Sequence, residues 1–290
     1  QWTPPSEPAR KQADIPRGGS TAERTGEWTI QRYYPSRLRS YLECGERYRR
    51  RYIEGERVYT SNISLAIGSA IHAGAQADND QKIENPETFN GIQRGELVEV
   101  AVESYERDAD THDFGATPPE IDKGKDSCAA GAGTYHDEVS PDVKPVAAEE
   151  HIIARVAGPD GAIYELAGIL DVADALGVGD LKTGKAAWNQ AKADAADQLT
   201  IYGLLFRARY GEFPSRMWVA NLINRVKGWK HKHIETMRTS QQYHALMAKL
   251  VAADKGIEAG TFLPAAEGSW RCSSKWCEFF ATCKFARREQ

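Results

Sequence analysis

The chain has 290 residues, 41% of them hydrophobic and 27% charged, with a formal net charge of −4 at pH 7. Its length suits one large domain or two small ones, and the composition is that of a globular protein. The mild negative charge excludes a protein that coats DNA by bulk attraction, but leaves room for a local basic groove. No apolar run reaches the ~18 residues of a membrane-spanning helix. The first residues lack an apolar core segment, so no secretory signal is expected. The five cysteines, in a chain that reads as cytoplasmic, point to ligation or burial in place of disulfides.

Residues 1–28 are polar and broken by Pro4, Pro5, Pro8, Pro16, Gly18 and Gly19. They bury too little surface to offset ordering entropy, which predicts a flexible arm. Pro35-Ser36 opens a helix, with Ser36 as N-cap and Leu38, Tyr41, Leu42 and Tyr48 at helical spacing. A second helix is expected over Ser64–Ala77, where Ala66, Gly68, Ala70 and Ala73 suit close packing against another backbone. A third, from about Pro86 to Asp108, carries the stripe Ile92, Leu97, Val98, Val100, Ala101 and Tyr105. These elements make a helical part over residues 36–112. Residues 109–144 contain Pro118, Pro119, Pro141, Gly124, Gly131 and Gly133 and read as a long polar connection.

Next comes a three-stranded meander: Val146–Val156, Ala162–Ala175 and Val178–Thr183. Its turns are Gly158-Pro159-Asp160-Gly161 and Leu176-Gly177. A helix over Ala195–Tyr210 is closed by Gly211. Strands over Met217–Ile223 and Trp229–Thr236, a helix over Gln241–Ala259, and an irregular tail with three cysteines follow. The expected organisation is one domain over 29–285, with its core at 145–236 and a helix and tail at 240–285. No internal repeat is visible.

The sharpest chemistry lies in Gly168-Ile-Leu-Asp171 and Asp180-Leu181-Lys182-Thr183-Gly184. A hairpin centred between Ala175 and Leu176 places Asp171 directly opposite Asp180, where side chains stand close. Two such carboxylates repel unless a proton or cation lies between them. Lys182 follows Asp180 by two residues and shares its face. The result is an oxygen-rich nest for Mg²⁺ or Mn²⁺ with an amine beside it, suited to phosphoryl chemistry. A solvated hairpin with an ordinary Asp–Lys pair is the plain structural alternative. Gln198 and Tyr202 are four apart on one helix and share a face. Glu149 and Glu150, on the preceding strand, offer a further acid without indicating which one.

These residues resemble the RecB-like branch of the PD-(D/E)XK nucleases, which combines Gly-x-x-Asp with Asp-x-Lys-Thr-Gly, an upstream Gly-x-x-x-His and a downstream Gln-x-x-x-Tyr. Here the outer two are Gly68-Ser-Ala-Ile-His72 and Gln198-Leu-Thr-Ile-Tyr202, in the same order. The resemblance implies an α/β fold with a central mixed sheet flanked by helices, a helical N-terminal part and an iron–sulfur-tied tail. It implies metal ligation by His72, Asp171, Asp180 and the carbonyl of Leu181. Lys182 would be the catalytic lysine, with Gln198 and Tyr202 supporting it and the DNA strand. The implied activity is a Mg²⁺- or Mn²⁺-dependent DNA exonuclease, with 5′→3′ polarity favoured. It would act on single-stranded or duplex ends in phage, CRISPR or recombination processing, alongside proteins of those pathways. A non-catalytic iron–sulfur DNA-binding adaptor on the same fold is the alternative.

Cys272, Cys277 and Cys283 close the chain and Cys44 lies far upstream. Zinc also takes four thiolates, but no Cys-x2-Cys pair is present, and iron–sulfur clusters tolerate wider spacing. Members of the same branch, including the CRISPR-associated fourth-family, AddB-type and related phage nucleases, hold a [4Fe–4S] cluster on such a set. The opening Tyr34-Pro-Ser-x-Leu38, Tyr41-Leu42-x-Cys44 and Tyr48 resembles theirs. Departures are the four residues between Cys272 and Cys277 and the Gly45 that follows Cys44. Cys128 has no partner spacing. Two basic–aromatic stretches suit phosphate and base contacts: Arg47, Arg50 and Arg51 with Tyr48 and Tyr52, and Arg225, Lys227, Trp229 and Lys230.

Overall fold

The computed structural model describes residues 32–58 and 62–286. The predicted arm at 1–28 lies outside the described residues. A short strand β1 (Arg32–Tyr33) leads into α1 (Pro35–Glu43), and α2 (Gly45–Tyr48) continues as one π-helical turn over Arg49–Ile53. Three long helices follow: α3 (Ile63–Glu84), α4 (Arg94–Thr111) and α5 (Pro118–Glu138). Then come β2 (Pro145–Ala157), β3 (Ile163–Asp174), β4 (Gly177–Gly184), α6 (Gln190–Asp194), α7 (Asp197–Tyr210), β5 (Arg216–Arg225), β6 (Gly228–Thr236) and α8 (Ser240–Glu258). The tail beyond α8 is a series of turns.

Among the described residues the six strands form one mixed sheet in the order β1-β3-β4-β5-β6, with β2 on the other side of β3. β3 pairs antiparallel with β2 and β4, and parallel with β1. β4 and β5 run parallel, which requires a crossover, here supplied by α6 and α7. Both faces are covered, so β5 reads as a nearly continuous apolar run. Its Met217 and Val219 join a core with Leu38, Leu199, Leu205 and Leu246, from α1, α7 and α8. Its Trp218, Ala220 and Leu222 join a second core with Ile71, Leu97, Tyr105 and Ala132, from α3, α4 and α5. The mixed α/β sheet flanked by helices is the architecture the sequence predicts.

Four local expectations are corrected. Residues 118–138 are not a polar connection but α5. Its Pro118 and Pro119 sit in the first turn, where proline is tolerated, and Glu120 accepts from the Thr117 N–H at 2.8 Å. Its glycines and alanines are contact positions: Gly131, Ala132 and Gly133 are buried, as is Cys128, whose thiol donates to the Ala101 carbonyl. The first helix is capped at Tyr34, with Pro35 in its first turn, and Ser36 lies inside it. The third helix begins at Arg94, leaving Ile92 in the preceding loop, and the second extends to Glu84. The small residues of α3 do allow close approach: a methyl at Gly74 would come within 3.0 Å of the Leu97 carbonyl oxygen on α4.

The β3–β4 turn is built by Asp174, whose carboxylate accepts from the Leu176 and Gly177 N–H groups at 2.8 and 2.7 Å. Gly177 then passes the β5 backbone so closely that an added methyl would overlap the Arg216 carbonyl oxygen at 1.6 Å. Gly177→Ala is expected to cost ~3 kcal/mol or more, read as a lowered urea midpoint. An unchanged midpoint would refute this packing constraint.

Candidate active site

The β3–β4 ladder has two paired rungs, Val172 opposite Gly179 and Ala173 opposite Val178. Both fit the register that sets Asp171 against Asp180, but pairing stops one rung short of those two. The Asp171 carboxylate instead reaches across and accepts from the Leu181 N–H at 2.8 Å. On the other side of β3, Ala148 pairs with Val172 and Glu150 with Leu170. Glu149, between them, adopts φ 45°, a sparsely populated conformation for a non-glycine residue. The sheet thus opens around Asp171 on both sides.

Helices from both faces fill the opening. From α3, His72 Nε2 lies 3.1 Å from the Leu181 carbonyl oxygen. Its Nδ1 lies 3.6 Å from Glu149 and 3.8 Å from Asp171. From α7, Gln198 Nε2 donates to Asp180 at 3.1 Å and to the Tyr202 hydroxyl at 2.8 Å. Lys182 Nζ donates to Asp180 Oδ1 at 2.7 Å. His72, Asp171, Asp180, Leu181 and Glu149 line one cavity. The structure therefore brings together all the residues assigned to catalysis and metal binding. Glu149, not Glu150, joins them. Glu150 turns away to Arg209 and Tyr210, a choice fixed by the backbone kink at Glu149 that sequence pattern does not register.

Burial governs the electrostatics. Asp180 is 1% exposed; burial, and then Asp171, push its carboxyl up to about 6 against the pull of Lys182. Burial likewise raises Asp171, against His72 and Lys182. Burial pulls the Lys182 ammonium down, but Asp180 and Asp171 outweigh it, so its proton is held more firmly than usual. His72 behaves alike: burial works against its charged form, and Glu149 and Asp171 prevail.

The donor set fits a divalent cation. His72, Glu149 and Asp171 present ligand atoms all within 4.8 Å of one another, and Asp180 Oδ2 is buried with no hydrogen-bond partner. His72 and the Leu181 carbonyl, 3.1 Å apart, line the same cavity.

Residues 34–284 match the family model of the PD-(D/E)XK nuclease superfamily. The chain belongs to this superfamily. Its fold aligns with the crystal structure of a "Putative exonuclease" from Eubacterium rectale at TM-score 0.54 and 12% identity, covering 89% of this chain and 90% of that one. The structure of SSO0001 aligns at TM-score 0.36 and 13% identity, over 87% and 96% of the two chains, too distantly to argue from. A search of the curated proteins finds no match.

Four of the five cysteines of this nuclease fold line one cavity. Cys44 breaks α1 from α2, and together with Cys272, Cys277 and Cys283 it lines a cavity of about 580 Å³, including space open to solvent. Among the described residues, no three of these thiols lie within 4.8 Å of one another.

The first basic stretch has a different setting from the one its pattern suggests. Arg47 and Arg51 both bind Glu278, at 2.9 and 3.3 Å. Arg50 binds Glu56 and Thr282 and lies 4.4 Å over the Phe279 ring. Tyr48 is buried. These side chains fasten the tail to α2. In the second stretch, Trp229 packs against the α5 core and its indole donates to Ser127 at 3.3 Å. Arg225, Lys227 and Lys230 remain exposed along the β5–β6 hairpin.

Millimolar Mn²⁺ should raise the melting temperature of the nuclease at pH 7.5 by mass action. The rise should shrink as pH falls through about 6, where protons compete for Asp180, and should vanish in Asp180→Ala. An equal rise in that variant, measured by scanning fluorimetry, would place the ion elsewhere.

Proposed function

We propose that this chain is a divalent-metal-dependent DNA exonuclease of the RecB-like branch. It hydrolyses phosphodiester bonds at single-stranded ends or resects duplex ends, 5′→3′ being the direction the family resemblance favours, in phage, CRISPR or recombination DNA processing. The observation that carries this reading is the convergence of His72, Asp171, Asp180 and the Leu181 carbonyl on one cavity, with Asp180 Oδ2 buried and unpartnered and Lys182 2.7 Å from Asp180 Oδ1.

His72, Asp171, Asp180 and the Leu181 carbonyl would hold Mg²⁺ or Mn²⁺, with Glu149 as a further carboxylate. Carboxylates and a carbonyl with a single imidazole suit these hard ions. When bound, the ion supplies a Lewis acid for a phosphoryl oxygen and lowers the pKa of water at the site. Lys182 keeps its proton against Asp180 and Asp171, so it serves as a donor that orients water and offsets charge growing on the phosphoryl oxygens. Gln198 holds Asp180 and Tyr202 in place. A DNA-binding adaptor without catalysis has no use for this intact set.

Lys182→Ala and Asp180→Ala should each lower cleavage of end-labelled single-stranded DNA by on the order of 10²–10³ or more, and EDTA should silence the wild type. Retained Mn²⁺-dependent cleavage in both variants would falsify the active-site assignment. A circular single-stranded substrate, compared in the same time course, separates end-dependent from internal cutting.

The cavity lined by Cys44, Cys272, Cys277 and Cys283 supports a [4Fe–4S] cluster with a structural role. Four thiolates around one zinc ion at ~2.3 Å stand ~3.8 Å apart, whereas no three of these thiols lie within 4.8 Å of one another, and a cluster is larger than one ion. Anaerobically purified protein should be brown, with about four irons per chain. Stoichiometric zinc without iron would replace the cluster with a zinc site.

A further inference from the structure

Three aromatic side chains of the tail stand in solvent, each beside a cation. Trp270 is 58% exposed, with the Arg271 guanidinium 4.5 Å from its ring; Trp276 is 52% exposed, with Lys275 at 5.2 Å. Phe285 has Lys284 at 4.9 Å. The two tryptophan rings meet edge to face, with centroids 5.3 Å apart at 86°, an arrangement that leaves ring surface free. A fold gains nothing from exposing two indoles, whereas bases of an unpaired strand stack on such surfaces and cations beside them take the phosphates.

A line of cations joins this platform to the active site. Arg271 binds Glu43 of α1 at 3.1 Å. Arg39 lies one turn earlier on α1, on the same face. It is exposed, and no acid pairs with it among the described residues. On α6, exposed Lys192 lies 4.3 Å over the Trp188 ring. The Trp188 N–H donates to Asn221 at 2.7 Å, and Asn221 in turn donates to the Lys182 carbonyl at 3.1 Å. Burial, and then the charges of Lys182, Arg39 and Arg271, make the Lys192 ammonium harder to keep charged.

We infer that this surface is the track of an unpaired DNA strand: bases stack on Trp270 and Trp276, and Arg271, Arg39 and Lys192 carry the phosphates that lead to Lys182. The inference rests on the exonuclease reading and names the form of DNA the site receives. A protein ligand would use the indoles but not the line of cations.

The test is anisotropy binding of a labelled oligothymidylate of about 12 nucleotides to the full chain, purified anaerobically and held in EDTA so that no cleavage occurs. Trp270→Ala with Trp276→Ala should weaken binding at least tenfold, since two stacked bases are worth at least that in affinity, while the two Trp→Phe changes together should hold it within about threefold. Arg39→Ala with Lys192→Ala should lower the slope of log affinity against log salt by about one to two. Wild-type affinity in the alanine pair overturns the track. So does an equal loss in the phenylalanine pair, or an equal loss of blunt-duplex binding. Failure of the exonuclease reading is seen separately, as absent Mn²⁺-dependent cleavage by a wild type that still binds the oligonucleotide.

Discussion

The site depends on β3 and β4 parting after two rungs. β4 keeps its full pairing with β5 over eight residues, so one edge of the strand is fixed while the other is free. The freed edge exposes the Leu181 carbonyl to His72 and the Leu181 N–H to Asp171. A continuous ladder would satisfy those backbone groups and leave no gap. Unpaired strand groups inside a protein are costly, and here every substitute partner is a side chain of the site. The same parting sets Asp180 deep in the sheet, where a carboxylate is hard to keep ionised. Lys182 and Gln198 compensate one of its oxygens, and the other is left to a cation.

Much of this was legible in the sequence because it rests on local rules. The hairpin register follows from a short turn whose Asp174 caps it, and strand period 2 sets Lys182 beside Asp180. Gln198 and Tyr202 share a helix face by spacing alone. The length of α5 was hidden for an equally physical reason. Proline and glycine read as loop signals, yet here the prolines occupy a helix start and the glycines serve helix packing. Glu149 could not be separated from Glu150, because a positive φ at one residue reverses the alternation that would otherwise tell them apart.

The basic residues show the limits of charge patterning. Arg47, Arg50 and Arg51 look like a phosphate-binding run, but Glu278, which engages Arg47 and Arg51, lies more than two hundred positions away in sequence, and Arg50 is taken by Glu56, six positions on. Conversely, Arg39 and Lys192 lie far apart in the sequence, have no acidic partner among the described residues, and feel each other's charge only through folding. Partners distant along the chain decide whether a cation is spent internally or left for a ligand.

The contacts between Arg47 and Glu278, 231 residues apart, also bear on how the molecule is made. Closing so long a loop is entropically late, and synthesis runs from the N-terminus. While a ribosome is still extending the chain, α2 emerges with its arginines unmatched and Cys44 without its three companions. The α/β layers can assemble first, and the last turns then fasten onto them as a closing clasp. A truncation that removes only those turns therefore acts at the opposite terminus, on the helix pair that carries Cys44.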